Sequence, residues 1–595
     1  MRKQQTLNFA LGQIVIILVI ALYLVVKRNN APSFIFWILM GVDLVYTSFL
    51  ILFKRKNSVI FLAIFAISIG IIPIAYLYEV HYLEKDAIFE SQFANSIIKN
   101  TKLDPTLGKG FAENYYGYNP LLHITIADLS VFSGLDPFFI SKSLLPLIFR
   151  VIILILIFVI IKELTNDNLI ASIASLLILI SPAFIPISVS RRTMGQIFFL
   201  LSVYLLIKLS KENKFIYEIA FLISSFFIIV GDHSTSYIFI IFLISAFIFS
   251  LMLKLFLKLE NTEIFRNLGF NFIVFLLMFL TWETLFAPVL LNTEIGYLGD
   301  IISFVDEGFG VTSVVGKDVY GPSAVHINKW YETFVAYSSQ LLFLVFAFVG
   351  FVYLVYRHKK DLNNINKKML MFLIVFGFFG YFFSGFLIRT RLNVLSSTLL
   401  WLFTIPIAIS TAIIIIRMIQ KNKPHLNTLA LIFILFIFFG GLIIGFTPSI
   451  TNRSFNEDII LGEPKSRSLE LVYSADWLKG ETENAFVFGD PTVFDIYSGF
   501  YQFDVSTDFE TKRIYESSLI ELNNILYGTV AFGNYKHTKV NDRLDFLVTN
   551  KAVFKYPSFI FNDALNDDNL EIFDNSQLLN KIYSNDEVNI YRNAI

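Results

Sequence analysis

About thirteen apolar runs, each near the roughly 20 residues that a helix needs to cross a bilayer, leave this chain few folds besides a bundle of membrane-spanning helices. They fall at residues 7–26, 33–53, 58–78, 138–161, 168–188, 193–209, 215–231, 235–257, 267–291, 333–356, 369–388, 392–416 and 426–447. Inside hydrocarbon every backbone N–H and C=O must find a partner within the protein, and a helix achieves this within one segment. With 55% hydrophobic and 16% charged residues, a chain of this length has too little polar surface for water alone to be its solvent. Lipid-facing helices account for the 66 Phe, so the aromatic content argues for neither sugar stacking nor nucleic-acid binding. Lys27, Arg28 and Asn29 follow the first run with no small-residue cleavage pattern, which reads as a retained span and not a cleaved signal peptide.

Basic residues set the orientation. With the N-terminus cytoplasmic, the inner loops carry Lys54, Arg55 and Lys56; Lys162; Lys208, Lys211 and Lys214; Lys254, Lys258 and Arg266; Arg357, Lys359, Lys360, Lys367 and Lys368; and Arg417, Lys421 and Lys423. The same threading sends loops 79–137 and 292–332 outward, together with the tail. From Ser449 onward 13 Lys and Arg stand against 23 Asp and Glu, so the tail is acidic and its translocation agrees with the rule. The expected architecture is a polytopic α-helical membrane protein: an N-terminal hairpin over 1–57, a transmembrane core over 58–448 and an extracytoplasmic α/β domain over 449–595. Two amphipathic helices, 87–98 and 121–131, are expected on the outer surface. In the tail the pattern predicts a helix over 468–479 and strands over 485–489, 544–548 and 588–591.

The residues able to carry chemistry gather on the outward side. His81, Glu84, Asp86 and Glu90 follow the third span, and on a helix Asp86 and Glu90 share a face. A carboxylate there can act as a general base or as one ligand of a divalent cation, or it can belong to a solvated charge cluster. Asp232 and His233 occupy the tight turn between two spans, where an Asp either caps the next helix or joins a metal or hydroxyl site. Arg191 with Arg192, and Arg389 with Arg391, break the positive-inside rule at helix ends, where arginine binds phosphate bidentately or snorkels to lipid headgroups. Glu283 lies inside an apolar run, a costly place for a carboxylate. Asp86 and Asp232 are the residues available to a metal, and the sequence has no HExxH or similar ligand spacing. With no cysteine, disulfides, thiolate metal sites and Cys nucleophiles are excluded. A P-loop, a Gly-rich dinucleotide fingerprint, a nucleophile elbow and kinase signatures are also absent.

This combination resembles the GT-C superfamily of polytopic glycosyltransferases that use lipid-phosphate sugars, and especially prokaryotic, largely archaeal, members with an extra N-terminal helix pair. The resemblance is carried by His81 to Glu90 with its Asp86-x-x-x-Glu90, by Tyr115-Tyr-Gly-Tyr-Asn119-Pro120-Leu-Leu-His123, and by Ser181-Pro182 through Arg191-Arg192-Thr-Met-Gly-Gln196. Asp232-His233-Ser-Thr-Ser looks like the polar turn often written His-x-x-Thr-Ser, and the tail segments Ala475 to Lys479, Val487 to Pro491 and Ile582 to Arg592 look like the extracytoplasmic part. In this sequence Gln196 stands where a carboxylate is common, and neither large outer loop holds a clear Asp-x-Asp, which leaves metal dependence open.

The resemblance implies an inverting transfer from a polyprenyl-phosphate sugar to a glycan, lipid or protein hydroxyl outside the cytoplasm. It makes Asp86 the base, with Glu84, Glu90, His81 and His233 nearby, and it gives the leaving phosphate to Arg191, Arg192, Arg389 and Arg391. A flippase for a polyprenyl-linked saccharide, and a non-catalytic membrane scaffold or sensor, are the competing expectations.

Overall fold

The computed structural model describes residues 2–26, 34–53, 58–76, 85–101, 118–181, 191–212, 214–257, 263–288, 330–358, 365–387, 393–421 and 423–444. In the tail it describes 459–460, 463–464, 469–482, 486–489, 493, 497, 504–506, 529–532, 535–539, 545–550, 574, 579–585 and 588–593. The described chain is mostly helical. The helices are α1 (Arg2–Val26), α2 (Phe34–Phe53), α3 (Ser58–Tyr76), α4 (Lys85–Asn100), α5 (Leu121–Ser133) and the single turn α6 (Pro137–Phe139), which runs through a π turn at Ile140–Leu144 into α7 (Leu145–Thr165). Next come α8 (Asn168–Leu179), α9 (Arg191–Glu212), α10 (Phe215–Gly231), α11 (His233–Leu257) and α12 (Glu263–Leu285). After these follow α13 (Trp330–His358), α14 (Ile365–Leu387), α15 (Asn393–Gln420) and α16 (Pro424–Phe438).

Among the described residues, five helices are long and apolar enough to cross a membrane, over Leu145–Thr165, Arg191–Glu212, Tyr337–Leu354, Leu402–Gln420 and Pro424–Gly441. Other predicted runs coincide with helices whose described apolar stretches are shorter, such as Leu7–Tyr23, Asn168–Leu179 and Phe215–Gly231. Their ends are chemically marked. Asn166 takes a left-handed φ of 52° and closes α7, and the next residue, Asp167, caps α8 by accepting from the Leu169 and Ile170 N–H groups at 2.7 and 3.4 Å. That two-residue punctuation turns one apolar helix back on the next. At the far end of α9, Lys208 and Lys211 pair with Glu163 of α7 at 3.2 and 2.7 Å, tying the two helices together where their apolar faces run out.

The interior is aliphatic and Phe-rich. Phe239 of α11 meets Phe199 of α9 and Phe275 of α12 edge to face at 5.4 and 4.9 Å, the arrangement favoured by the ring quadrupoles. Helix α15 is packed most tightly: Gly350 of α13 lies so close to it that an added Cβ would sit 2.0 Å from the Ser410 carbonyl oxygen. Gly350→Ala should therefore cost about 1–3 kcal/mol through overpacking. Gly41→Ala, whose Cβ meets nothing within 4 Å, is the control in a thermal unfolding comparison in detergent.

The tail folds around a five-stranded sheet in the order β4-β3-β7-β9-β8. Here β3 is Phe486–Phe488, β4 Asp504–Ser506, β7 Phe546–Asn550, β8 Leu579–Ser584 and β9 Val588–Asn593. Strand β3 runs parallel to β4 and β7, while β9 is antiparallel to both β7 and β8. Two small hairpins, β1 (Ile459–Ile460) with β2 (Glu463–Pro464) and β5 (Thr529–Phe532) with β6 (Tyr535–Lys539), complete the described strands. Helix α17 (Leu469–Glu481) packs Leu471, Ala475 and Leu478 on Val487, Val548 and Ile590 of the sheet. The helix and three of the strands fall where the sequence pattern predicts them. Burial pushes the Tyr591 phenol upward in pKa, and its hydrogen bond to Asp574 Oδ1 at 2.8 Å adds to the shift.

Candidate functional site

Helices α4 and α5, expected as amphipathic elements on the surface, are both present, and Glu90, Ser91, Ser96, His123 and Ser130 on them turn inward. Glu90 is 1% exposed. Its Oε2 pairs with Nε2 of the fully buried His123 on α5, and its Oε1 accepts from Arg191 Nε of α9 at 3.1 Å. One carboxylate thus joins three helices. Phe93 lies three residues beyond Glu90, so both project from neighbouring positions on α4, and its ring stacks on the His123 imidazole at 5.0 Å. Ser91 reaches the π turn through a 2.6 Å contact with Ser141 Oγ, which fixes α4 from another side. No described residue hydrogen-bonds to His123 Nδ1.

The backbone just before α5 is also held. Asn119 Nδ2 donates to the Ile229 carbonyl at 3.0 Å, satisfying one of the acceptors that the C-terminal turn of α10 leaves without an intrahelical partner. Pro120 follows at the N-terminal boundary of α5. The Asn-Pro-x-x-His spacing therefore does two things: Asn119 anchors the entry to α5 on α10, and His123, on the first turn, reaches Glu90.

Arg191 and Arg192 open the 22-residue helix α9, where the exposed N–H groups and the helix dipole add positive potential. The first turns of α9 press against the turn joining α10 to α11. Asp232 caps α11: its Oδ2 accepts from the Thr235 N–H at 2.8 Å, the Ser234 hydroxyl at 2.6 Å and the Thr235 hydroxyl at 2.5 Å. Burial alone would raise the Asp232 carboxyl, but the neighbouring His233 and Arg192 and the two hydroxyl hydrogen bonds outweigh it and hold the group below the ordinary carboxylate range. His233 is the first residue of α11.

Gly195 makes this approach feasible, since a Cβ there would lie 2.8 Å from Thr235 Oγ1 and 2.9 Å from Asp232 Cβ. Gly195→Ala should force the α9 end away from the turn at a cost of about 1–3 kcal/mol. Thermal unfolding in detergent checks this, and a stability equal to wild type would show that the turn yields instead.

Glu283 is 1% exposed near the end of α12, beside Trp282, and its Oε2 has no hydrogen-bond partner among the described residues. For Asp86 the structure gives the backbone, in the first turn of α4 and one turn before Glu90. His81, Glu84, Arg389 and Arg391 lie outside the described residues. Among the described residues no three His, Asp or Glu side chains form a metal-ligand group, and the three donors on Asp232 Oδ2 already occupy that oxygen.

Sequence reasoning passed over three groups. It quoted His123 without giving it a role, and only the fold shows it as the partner of Glu90. Asp43 on α2 and Arg150 on α7 are buried within apolar helices, and lone charges in apolar runs were the signal that could have found them. No protein-family model matches this chain, and no curated protein matches it.

Proposed function

We propose that this chain is a membrane glycosyltransferase of the GT-C type, moving a sugar from a polyprenyl-phosphate carrier to a glycan, lipid or protein hydroxyl at the extracytoplasmic membrane face. The observation that carries this reading is the convergence, at one end of the bundle, of the Glu90 carboxylate of α4, the Arg191-Arg192 start of α9 and the capped Asp232 turn. About thirteen spans, a cytoplasmic N-terminus and an extracytoplasmic tail belong to the same proposal, on the strength of the basic loops.

In this reading Asp86, on the first turn of α4, takes the proton of the acceptor hydroxyl as its oxygen attacks the anomeric carbon of the donor. The bond from that carbon to the phosphate oxygen breaks with inversion, and the polyprenyl phosphate departs with the electron pair. Arg192 and the α9 N-terminus, together with Arg389 and Arg391, stabilise the negative charge as it develops, an effect that is larger beside a low-dielectric bilayer. Glu90 positions Arg191 by its ion pair. A carrier that arrives already loaded with sugar removes any need for a nucleotide motif. A divalent cation, if bound, would have Asp86 as its available ligand and would add to the charge that stabilises the departing phosphate.

The flippase reading draws on Asp43 and Arg150, which lie inside apolar helices, since transporters place charged groups at mid-membrane depth. The two partners of Glu90, His123 and Arg191, lie in the first turns of α5 and α9, which favours surface chemistry. The test is incubation of reconstituted vesicles with radiolabelled polyprenyl-phosphate sugars, with and without chelator. Transfer of label to an acceptor is expected. Label that crosses the bilayer without transfer selects the flippase, and neither result leaves a scaffold or sensor. Loss of transfer with chelator would add a metal to the site.

A further inference from the structure

A second polar cluster lies away from the helix-end site, among the first three helices. Asp43 sits at the middle of the apolar helix α2 and is fully buried. Gln13 of α1, Thr47 one turn further along α2 and Ser68 of α3 are equally buried. The Gln13 amide is fixed in place, because its Nε2 donates to Thr47 Oγ1 at 2.6 Å and to the Phe61 carbonyl at 3.1 Å. Among the described residues its Oε1 then has no donor. The Asp43 carboxyl faces Ser68 and Gln13, yet neither of its oxygens receives a hydrogen bond of proper geometry. No Lys, Arg or His among the described residues forms an ion pair with it.

Three buried acceptor oxygens, two on Asp43 and one on Gln13, therefore have no hydrogen-bond donor among the described residues, the situation in which a bare carboxylate is most costly. We propose that Asp43, with Gln13 Oε1 and the neighbouring hydroxyls of Ser68 and Thr47, binds one small monovalent cation, either a proton or sodium. Hard oxygen ligands suit such an ion. A single carboxylate balances one positive charge, whereas a divalent ion would leave a net charge buried. A proton shared between Asp43 and Gln13 Oε1, or a sodium ion coordinated by them, supplies what these oxygens lack, and either would hold α1, α2 and α3 together. This site is independent of any glycosyl transfer.

The test uses the full chain in nanodiscs at one pH, treated with dicyclohexylcarbodiimide in sodium-free choline chloride and mapped by mass spectrometry. The reagent adds to protonated carboxyls in apolar surroundings. An adduct on Asp43 is expected, absent from Asp43→Asn. If the ion is sodium, replacing choline with NaCl should suppress labelling roughly tenfold at ten times the dissociation constant and should raise the melting temperature of wild type alone. If the ion is a proton, the adduct forms equally in both salts. A folded wild-type protein with no adduct on Asp43 and no sodium-dependent stabilisation overturns the proposal. Should Asp43→Asn fail to fold, the wild-type labelling map and sodium dependence decide it.

Discussion

Replacing Glu90 with alanine should cost about 3–5 kcal/mol of stability, because it removes the buried carboxylate that His123 and Arg191 share. The effect is large for a reason of environment. An exposed pair such as Lys214 with Glu212, whose side chains are 59% and 34% accessible, is screened by water and contributes little to stability. At Glu90 little water can substitute for the lost partner, and α4, α5 and α9 lose their common junction. Glu90→Gln keeps the shape and part of the hydrogen bonding, so its loss should be smaller. A double-mutant cycle over Glu90 and Arg191, read from unfolding in a single detergent, should give a coupling above about 1 kcal/mol. Additive losses would mean that the two groups touch without depending on each other.

The same junction extends beyond the membrane helices. Phe93, stacked on His123, also belongs to the apolar cluster formed by Leu471, Ala475 and Leu478 of α17 with Val487 and Tyr497. Helix α4 therefore meets both the candidate site and the sheet domain through Phe93. Within that domain Ser474 and Tyr497 contact each other at 2.8 Å, and Trp477 packs on Tyr583 at 4.9 Å, so α17 is held by polar as well as apolar contacts. Displacement of the sheet domain would be felt at Phe93 before it reached Glu90.

How much of this was legible depended on whether the cause was local. Apolar runs mark helices because hydrocarbon selects them segment by segment, and Asn166-Asp167 marks a helix reversal because one residue tolerates a left-handed φ and the next caps. Strands β3, β7 and β9 could be read because Val487, Val548 and Ile590 are apolar residues turned to the α17 core. Strands β4 and β8 were missed: they lie at the two edges of the sheet, and Asp504-Val505-Ser506 or the exposed Asn580 and Lys581 carry little apolar signal.

The loop charges led to the expectation that Glu90, Arg191 and Asp232 share one side of the membrane, but their contacts are tertiary. Nothing near Glu90 in sequence indicates that its partner is His123, 33 residues on, and nothing near Gly195 indicates that the turn at Asp232 is what it must approach. Counting charges in loops also diverted attention from charges inside helices, which is why Asp43 and Arg150 went unread.

The second large effect concerns rate and not stability. If Asp86 is the base, Asp86→Asn should lower kcat for sugar transfer by about 10²–10⁴ while leaving the unfolding transition near that of wild type. The reasoning rests on placement: Asp86 occupies the first turn of α4, one turn before the buried Glu90, so the helix that anchors Glu90 between His123 and Arg191 also sets the position of residue 86. Removing charge at the anchor and removing charge one turn above it should therefore give opposite signatures. Glu90→Ala loses stability and activity together, whereas Asp86→Asn loses kcat alone. Arg192→Gln should follow a third pattern, with transfer slowed most for donors whose phosphate is the poorer leaving group, because its charge acts on the departing oxygen. Were Asp86→Asn to transfer sugar at the wild-type rate while Glu90→Gln did not, the base would have to be assigned to Glu90, and the contact with Arg191 would become the device that orients it.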